Sequence, residues 1–539
     1  MPLFYLLPTQ YQWRLLAVLG LSLSGSSCAR HYYFQPDARV GAGSARPLPA
    51  SADSVLATAG RQYNRHGSLY RFFLGRHYRR VWAAPVRVPV LDLATAAPGG
   101  LRPGKPGGGY QSISMTLEGI QDREYALRAL DKEPTRTLPQ VLRHTFALNM
   151  VRDATSAAIP YGALTVPPLA RAAGVLHTRP RIVYVREDET GLAASSKRFR
   201  GKLALLEEKY AAPASRTADV AGATGFNGSE AMLKQVYRHS ANYIDQPAFL
   251  RARLLDVWLG DWDRHEGQWQ WAEFHEAGGR VRYLGIPKDR DQVYFRFDDG
   301  LIPWLAARPF IAPQFQTFRN EYNNIGGLVY QAQFIDQRGL SAMTRADFRR
   351  TALDLQRRLP DSVIDQAMRR LPPTVYAFEG RRLGDDLRAR RQTLPQAADA
   401  YYLTLARAPT LGGTARAERF EVHRYADSTT VRVFSAAPQP RPAGDSLLFR
   451  RTYFRQETRC ISLDGLGGDD VFEVTTTATA THPMRLLLYG GNGHDQLSLQ
   501  GGARWLKLYD EPADLTAVDA PHPRRPPKSH RAYDRLNDD

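Results

Sequence analysis

Residues able to do chemistry are concentrated in one short segment, Gly260 to Trp269 (GDWDRHEGQW), which includes two aspartates, a histidine and a glutamine. A predicted hairpin strand at Val281 to Ile286 leads to a second acidic cluster, Pro287 to Asp291 (PKDRD). Transfer of a phosphoryl group needs a carboxylate that orients the attacking hydroxyl, oxygen ligands for a metal, and donors that hold the phosphates. Because Mg²⁺ prefers carboxylate and amide oxygens, the two loops together could supply the acidic part of such a site.

The first of these loops directly follows a predicted amphipathic helix. Asp245 can cap the start of this helix, Pro247 fits its first turn and Gly260 can end it. One face carries an apolar stripe made by Leu250, Leu254, Val257 and Trp258. A network of Asp, Arg and His that merely caps this helix is the structural alternative to a catalytic loop. We expect three tryptophans around the loop to pack in the core: Trp262, Trp269 and Trp271.

A glycine-rich segment and two strands precede the helical region. Gly107, Gly108 and Gly109 come before a predicted strand at Tyr110 to Leu117, and a second strand at Tyr125 to Leu130 follows a turn at Glu118 and Gly119. Three glycines suit either a flexible turn or a phosphate cradle. The second strand offers Arg128, with Lys132 just beyond its end, and either cation could contact phosphates.

These segments together resemble the atypical branch of the protein-kinase-like fold. The families concerned are the CotH spore-coat kinases, the secretory-pathway kinases related to Golgi casein kinase, and the HipA-type toxins. Their loop of the form Gly-x-x-Asp-Arg-His-x-x-(Asn/Glu) is matched by Gly260, Asp263, Arg264, His265 and Gln268. The Pro-x-Asp-x-Asp turn of CotH-like proteins is matched by Pro287, Asp289 and Asp291.

The resemblance implies roles for individual residues. Asp263 would be the catalytic carboxylate that orients an acceptor hydroxyl, and Gln268 a metal-contacting amide. Asp289 would bind the metal, with Asp291 as the competing candidate. The cofactor would be ATP with Mg²⁺ or Mn²⁺, its phosphates held by Gly107, Gly108 and Gly109 and by Arg128 or Lys132. The acceptor, whether protein, lipid or sugar, is left open.

Two departures from the kinase pattern leave a second function open. Arg128 stands where protein kinases have a lysine, and no glutamate in the predicted helical segment from Leu138 to Ala157 is an evident partner for it. Gln140 and Asp153 are the nearest polar candidates. The alternative is therefore a catalytically inactive, kinase-fold binding protein on the cell surface or in the periplasm.

The order of elements predicts an α+β protein with a two-lobed kinase-like fold and a small all-β C-terminal domain. We expect a β-rich N-lobe over residues 56–190, a helical C-lobe over 191–408 and a β domain over 409–515. A linker at 29–55 would precede them, and a Pro- and Arg-rich tail at 516–539 is expected to be disordered. Within the lobes we also expect a strand at Ala163 to Val166 and a helix near Phe199 to Lys209.

The first 28 residues predict export. A short apolar stretch, Leu15 to Leu23, follows Arg14, and small residues lead to Cys28. This is typical of a bacterial lipoprotein signal, which would anchor the protein to a membrane through lipidated Cys28. Gly25 stands where such signals usually have leucine, so a plain secretory signal also fits. Either way the protein would face the periplasm or the cell surface.

A second motif lies in the predicted β domain. Gly490 to Ser498 (GGNGHDQLS) resembles the nonapeptide of calcium-binding β-rolls, and Asp464 to Phe472 (DGLGGDDVF) fits it with aspartate in first place. On this alignment the candidate calcium ligands are Asp469 and Asp495. Because the copies are 26 residues apart rather than adjacent, we favour a glycine-aspartate turn between strands, with Ca²⁺ as the alternative.

Composition limits the remaining possibilities. The chain has 539 residues and a formal net charge of +18, which suits an anionic partner such as a nucleotide or an anionic lipid. The basic residues are dispersed and no nucleic-acid motif occurs, so nucleic acid is not the expected partner. Two cysteines exclude a disulfide scaffold and a cysteine-based zinc site. Serine hydrolase, zincin and P-loop motifs are also missing from the sequence.

Overall fold

The computed structural model describes residues 29–30, 32–41, 46–107, 112–211, 220–435, 446–477, 482–511, 514–518 and 521–525. Over these ranges the chain has a mixed α+β architecture built on several sheets. The predicted signal with Cys28, the glycines Gly108 and Gly109, and the last residues of the predicted tail lie outside the described residues. None of the helices in these ranges has the length and apolar character needed to cross a membrane.

The N-terminal part is built around an antiparallel five-stranded sheet of order β3-β4-β5-β7-β6. A separate two-stranded ribbon, β1-β2, lies beside it. The strands are β1 Ser54–Ala57, β2 Val86–Pro89, β3 Arg102–Gly107, β4 Ser112–Glu118, β5 Glu124–Lys132, β6 Arg181–Tyr184 and β7 Leu203–Glu208. The helices are α1 Ser68–Leu74, α2 Arg79–Trp82, α3 Phe146–Asp153, α4 Val166–Ala173 and α5 Ser196–Phe199.

The boundary expected at residue 190 moves downstream because β7 belongs to this sheet. Leu203–Glu208 pairs with both β5 and β6, where a helix was expected from a run of good helix formers. Its first five residues are all buried, as in a strand covered on both faces. The strand expected at Ala163 to Val166 is also wrong. A 3₁₀ turn and the start of α4 occupy that segment, because the prolines after Val166 favour the first turn of a helix.

The middle part is mainly helical and carries one four-stranded sheet of order β8-β10-β11-β9. Its strands are β8 Gly225–Gly228, β9 Asn242–Ile244, β10 Trp269–His275 and β11 Val281–Pro287. The helices are α6 Ser229–Arg238, α7 Gln246–Leu259, α8 Leu301–Ala306, α9 Ile325–Leu328, α10 Gln333–Gly339, α11 Arg345–Arg358, α12 Asp361–Met368, α13 Pro373–Val375, α14 Arg381–Gln392 and α15 Leu394–Ala406. One continuous apolar core, running from Tyr33 to Ala406, joins this part to the N-terminal part.

Helix α7 is the central element of the middle part. Asp245 caps it by accepting a hydrogen bond from the N–H of Ala248 at 3.1 Å, and Gly260 ends it in the left-handed region with φ of 69°. Every residue from Leu254 to Leu259 is buried. The burial fixes the end of α7, so the loop that starts at Gly260 leaves the core from a defined position.

The C-terminal part is all β and has its own core. Its strands are β12 Thr410–Gly412, β13 Glu418–Arg424, β14 Ser428–Ser435, β15 Leu447–Phe454, β16 Cys460–Asp464, β17 Val471–Thr476, β18 Arg485–Tyr489, β19 Asp495–Gln500, β20 Leu506–Tyr509 and β21 Leu515–Val518. They form two sheets of order β12-β16-β18-β20 and β15-β14-β13-β17-β19-β21. From β16 onwards successive strands alternate between the two sheets and pair in parallel. The chain therefore coils, so that each turn lies on the one before it.

Candidate functional site

Two cations of strand β5 point to the same side of the five-stranded sheet. Side chains alternate along a strand, so Arg128 and Lys132 lie on one face, whereas Leu127 and Ala129 face the buried side. The pairing of β4 with β5 is irregular between Ser112 and Ser114, next to the end of β5 that carries Lys132. Both cationic side chains remain about one-fifth exposed, at 21% and 18%.

The two loops singled out in the sequence lie side by side. Strands β10 and β11 form an antiparallel hairpin in which Trp269 is opposite Pro287. This register places the end of the first loop, Gln268, next to Lys288, whose N–H donates to the Gln268 carbonyl oxygen at 3.1 Å. The loop after α7 and the acidic cluster after β11 therefore meet at one edge of the sheet.

The β5 cations face the acidic cluster directly. Arg128 Nε lies 3.7 Å from Asp289 Oδ2, and Lys132 Nζ lies 2.5 Å from Asp291 Oδ2. The sequence left Arg128 and Lys132 as alternatives, and likewise Asp289 and Asp291, but the structure brings all four together. Arg128 also donates to Glu207 on β7 at 2.8 Å. Its glutamate partner thus comes from a neighbouring strand rather than from a helix.

The two aspartates have different electrostatic surroundings. Burial opposes ionisation of Asp289, but the charges of Arg128 and Lys132 prevail and hold its pKa below the usual value. The pKa of Asp291 is raised by burial and by the negative charges of Asp289 and Asp263, despite its ion pair with Lys132. Adjacent carboxyls with pKa values pushed apart are typical of sites that bind metals or move protons.

Asp289 has an unusual backbone conformation. Its φ is 58°, in the left-handed region that non-glycine residues seldom adopt. Aspartate tolerates this region better than most residues. The turn allows Asp289 to face Arg128 while Asp291, two positions on, faces Lys132. Such strain is found mainly where a side chain must be held in a defined place.

Asp263 projects from the first loop near the same cluster. It is 28% exposed, and its charge acts on both Lys132 and Asp291. His265, three-fifths buried, has a local role: its Nδ1 accepts a hydrogen bond from the N–H of Gly267 at 3.0 Å. Asp263 is therefore the carboxylate of this loop that is directed to the cationic face of β5.

A buried network below the surface joins the two loops. Arg264 is fully buried and donates to the carbonyl oxygens of Lys288 at 2.7 Å and Gln268 at 2.9 Å. In the opposite direction, Arg290 of the acidic cluster pairs with Asp256 of α7 and lies 3.2 Å from Asp261 of the first loop. Each loop thus contributes an arginine that binds the other. The structural alternative was a network of Asp, Arg and His; the buried network contains its aspartates and arginines but not His265, and Asp263, Asp289 and Asp291 remain partly exposed.

The tryptophans pack in the core, as expected. Trp269 and Trp271 are fully buried and pack on Phe249 of α7 with ring centroids 4.7 and 5.3 Å away. Trp262 packs on Phe315 at 4.9 Å. These rings therefore pack under the first loop and help to fix its position.

The remaining predicted site residues are placed as follows. Gly107 ends strand β3 and pairs with Ser114, so it is part of a strand rather than of a loop. Asp153 forms a buried ion pair with Arg79, its Oδ1 accepting at 2.6 Å. It is therefore not the partner of Arg128. Gln140 belongs to a separate 3₁₀ turn, Gln140–Leu142.

In the β unit, the structure corrects the motif alignment by one residue. Asp464 pairs with Tyr489, and Val471 pairs with Gln496. Asp470, rather than Asp469, is therefore the residue equivalent to Asp495. Asp469 is exposed, and its carboxylate accepts a hydrogen bond from the N–H of His494 at 2.9 Å.

Cavities and metal donors give a further constraint. Across the part of the chain that the structure describes, no three His, Cys, Asp or Glu side chains form a group that could hold a metal ion. We call the place where Arg128 and Lys132 face Asp289 and Asp291 the cleft. A pocket of about 420 Å³ lies away from it, against α7 and α11, and is lined by Pro247, Arg251 and Met343. Its charged lining consists of four arginines and two aspartates and includes no residue of the two acidic loops, so it is not the favoured site.

No protein-family model, curated protein or solved structure matches this chain. What the protein does is therefore inferred from the cleft between β5 and the two acidic loops. It presents three partly exposed carboxylates, Asp263, Asp289 and Asp291, opposite two cations, Arg128 and Lys132. Carboxylates suit a hard divalent cation and the cations suit phosphate oxygens, so the set is complementary to a metal–polyphosphate.

Proposed function

We propose that this protein is an exported, membrane-anchored phosphotransferase of the kinase-like class, which moves the γ-phosphate of ATP to a hydroxyl acceptor. The observation that carries the proposal is the meeting of the β5 cations with the acidic cluster after β11: Arg128 lies 3.7 Å from Asp289, and Lys132 lies 2.5 Å from Asp291. Because these two ion pairs lie at a partly exposed edge, they can open to bind a ligand that carries both a positive metal ion and negative phosphates.

The donor set fits Mg²⁺ or Mn²⁺ bound together with a nucleotide. Mg²⁺ is usually held by one or two protein carboxylates plus substrate phosphates and water, so a cage of three protein ligands is not needed. Asp289 would hold the metal, with Asp291 and the Gln268 amide beside it. The bound cation would offset the negative charge of the phosphates.

With the metal and nucleotide bound, the side chains of the cleft would have separate roles. Arg128 and Lys132 bind phosphate oxygens in place of the carboxylates they pair with now, which keeps the charge of the cleft balanced. Asp263 orients the acceptor hydroxyl and takes its proton as the new oxygen–phosphorus bond forms, while the bond between the γ-phosphorus and its bridging oxygen breaks and ADP leaves. Glu207 positions Arg128 through its 2.8 Å hydrogen bond.

The order of elements supports the kinase-like class. An antiparallel sheet precedes a helical part, and the loop after α7 and the cluster after β11 follow one another as in the families that the sequence resembles. The buried Arg264 and Arg290 contacts hold these two loops together, so that Asp263 and Asp289 approach the same cations.

The test is thermal unfolding of the purified full-length chain with and without ATP and Mn²⁺. A ligand at about 100 times its dissociation constant adds roughly 2.7 kcal/mol of stability, so a metal-dependent rise of a few degrees is expected. Asp289→Asn should remove this rise. Asparagine is the appropriate replacement because it also tolerates the left-handed backbone at this position.

Asp385→Asn is the matched control, since Asp385 is a largely exposed carboxylate on α14 paired with Arg388 at 3.1 Å. It should keep the full ATP response. Absence of any response in the unsubstituted chain, with either metal, would overturn the phosphotransferase proposal. The chain would then be the alternative, an inactive kinase-fold binding protein.

A further inference from the structure

The turns of the C-terminal β unit share one pattern. A glycine is followed five positions later by a buried carboxylate in Gly413 to Glu418, Gly465 to Asp470 and Gly490 to Asp495. The parallel register stacks these turns. The N–H of Glu418 donates to Asp470 Oδ1 at 2.7 Å, and the N–H of Asp470 donates to Asp495 Oδ1 at 2.9 Å. The carboxylates therefore form a ladder along the unit.

The second oxygen of each aspartate is buried without a hydrogen-bond partner. Within the described residues this holds for Oδ2 of Asp470, Asp495 and Asp510, whose residues are 0%, 0% and 3% exposed. Asp510 stands at the position that Gly490 occupies in the previous turn. A Cβ at Gly490 would collide with Oδ2 of both Asp495 and Asp510. The glycine therefore leaves a space at which two carboxylates converge.

Like charges at this distance need compensation. Oδ2 of Asp495 and Oδ2 of Asp510 converge on the space at Gly490, and the charged groups acting on these two carboxyls are further carboxylates, including Asp469 and Asp514. Two carboxylates in contact cannot both ionise unless a cation or a proton lies between them.

We propose that the β unit binds a hard divalent cation, Ca²⁺, between Asp495 and Asp510. The carbonyl oxygen of Gly490 and Oδ2 of Asp470 lie together at Gly465, one turn away, where a Cβ would collide with both. They offer a second oxygen pair along the same ladder. All these donors are oxygens, and backbone carbonyls with water complete a Ca²⁺ shell readily because its geometry is flexible. The site is independent of the nucleotide cleft.

The test uses the full-length chain, freed of metal with a chelator and titrated with CaCl₂ by calorimetry, alongside thermal unfolding. In the unsubstituted chain Ca²⁺ should bind and raise the unfolding temperature of the β unit by several degrees. Asp495→Asn and Asp510→Asn should each weaken binding by at least about tenfold. Each should also raise the unfolding temperature in the absence of Ca²⁺, because one buried carboxyl no longer has to ionise, or be kept protonated, beside a second one. A merely structural role would not produce that rise.

Asp469→Asn is the matched control, because Asp469 is the ligand that the motif alignment alone would choose. It should keep most of the Ca²⁺ response, because Asp469 lies near Asp495 but is exposed and accepts a hydrogen bond from the N–H of His494. Three results would overturn the proposal: no Ca²⁺ binding to the unsubstituted chain, an unchanged response in both Asp495→Asn and Asp510→Asn, or a response lost in Asp469→Asn alone. The first result does not depend on any variant folding.

Discussion

The arginine that joins the two loops of the cleft offers a sharp test of how the site is built. Arg264 is fully buried, and its guanidinium donates to the carbonyl oxygens of Lys288 and Gln268 while Nε lies 3.4 Å from Asp256. Arg264→Met keeps much of the apolar volume of the side chain but removes the charge and the donors. The change leaves the two buried carbonyls without this donor and removes one of the three arginines around Asp256.

The expected loss is large. Removing one member of a buried ion pair costs about 3–5 kcal/mol, whereas a whole domain is stable by only about 5–15 kcal/mol. We therefore expect Arg264→Met to lower the free energy of unfolding of this part by about 3–5 kcal/mol. It should also weaken the ATP response, because the loops that carry Asp263 and Asp289 lose the side chain that joins the Lys288 and Gln268 carbonyls.

Urea unfolding followed by tryptophan fluorescence is the assay, since Trp262, Trp269 and Trp271 lie around the loops and report on this region. Arg319→Met is the matched control: Arg319 pairs with Asp298 at 2.9 Å but is 47% exposed. It should cost no more than about 1 kcal/mol. Equal losses in the two variants would refute the assigned role of the buried network.

Three further predictions concern separate features. Burial raises the pKa of Asp261 from 3.8 to about 6, so the folded state binds the proton more tightly and stability falls as pH rises from 4 to 6. Asp261→Asn should flatten this part of the pH–stability curve. Gly490→Ala should destabilise the β unit by about 1–3 kcal/mol in urea unfolding, because its Cβ would collide with two carboxylates; Gly502→Ala, whose Cβ meets nothing within 4 Å, should not. Lys132→Gln should weaken ATP binding about tenfold or more in equilibrium dialysis, whereas Lys209→Gln, on an exposed pair with Glu124, should leave it unchanged.

Local signals in the sequence predicted element ends well. The Asp245 cap and the end of α7 at Gly260 are confirmed. The start of α11 is fixed in a similar way, by a capping box in which the Thr344 and Asp347 side chains each accept from the other's backbone N–H. These features depend on hydrogen bonds between residues a few positions apart, so the chemistry of a short segment is enough to specify them.

Elements that depend on distant partners were harder to predict. The run from Leu203 to Glu208 is rich in helix formers, yet it is the strand between β5 and β6 because both its faces are covered. The start of the predicted tail shows the same effect. Leu515–Val518 pairs with β19, and Arg524 bridges to Tyr509, so structure continues beyond residue 516. Pairing with preceding strands is not visible in a short Pro-rich sequence.

In the cleft, some residues could be predicted from the sequence and others could not. The two acidic loops were recognisable because their residues are contiguous, and Arg128 and Lys132 because they sit on one strand. Glu207 and Arg290 were missed. Their roles depend on a strand and a helix that are far away in sequence, and no local pattern indicates such pairings. In the β unit, the one-residue correction from Asp469 to Asp470 likewise required the strand register.

The most direct test of the phosphotransferase proposal is diffraction from crystals soaked with Mn²⁺ and a non-hydrolysable ATP analogue, using the anomalous signal of manganese. We predict a manganese peak at the carboxylate of Asp289 and phosphate density against Arg128 and Lys132, with the Arg128–Asp289 and Lys132–Asp291 pairs opened. Nucleotide and metal bound elsewhere, or not bound at all while both ion pairs stay closed, would contradict it.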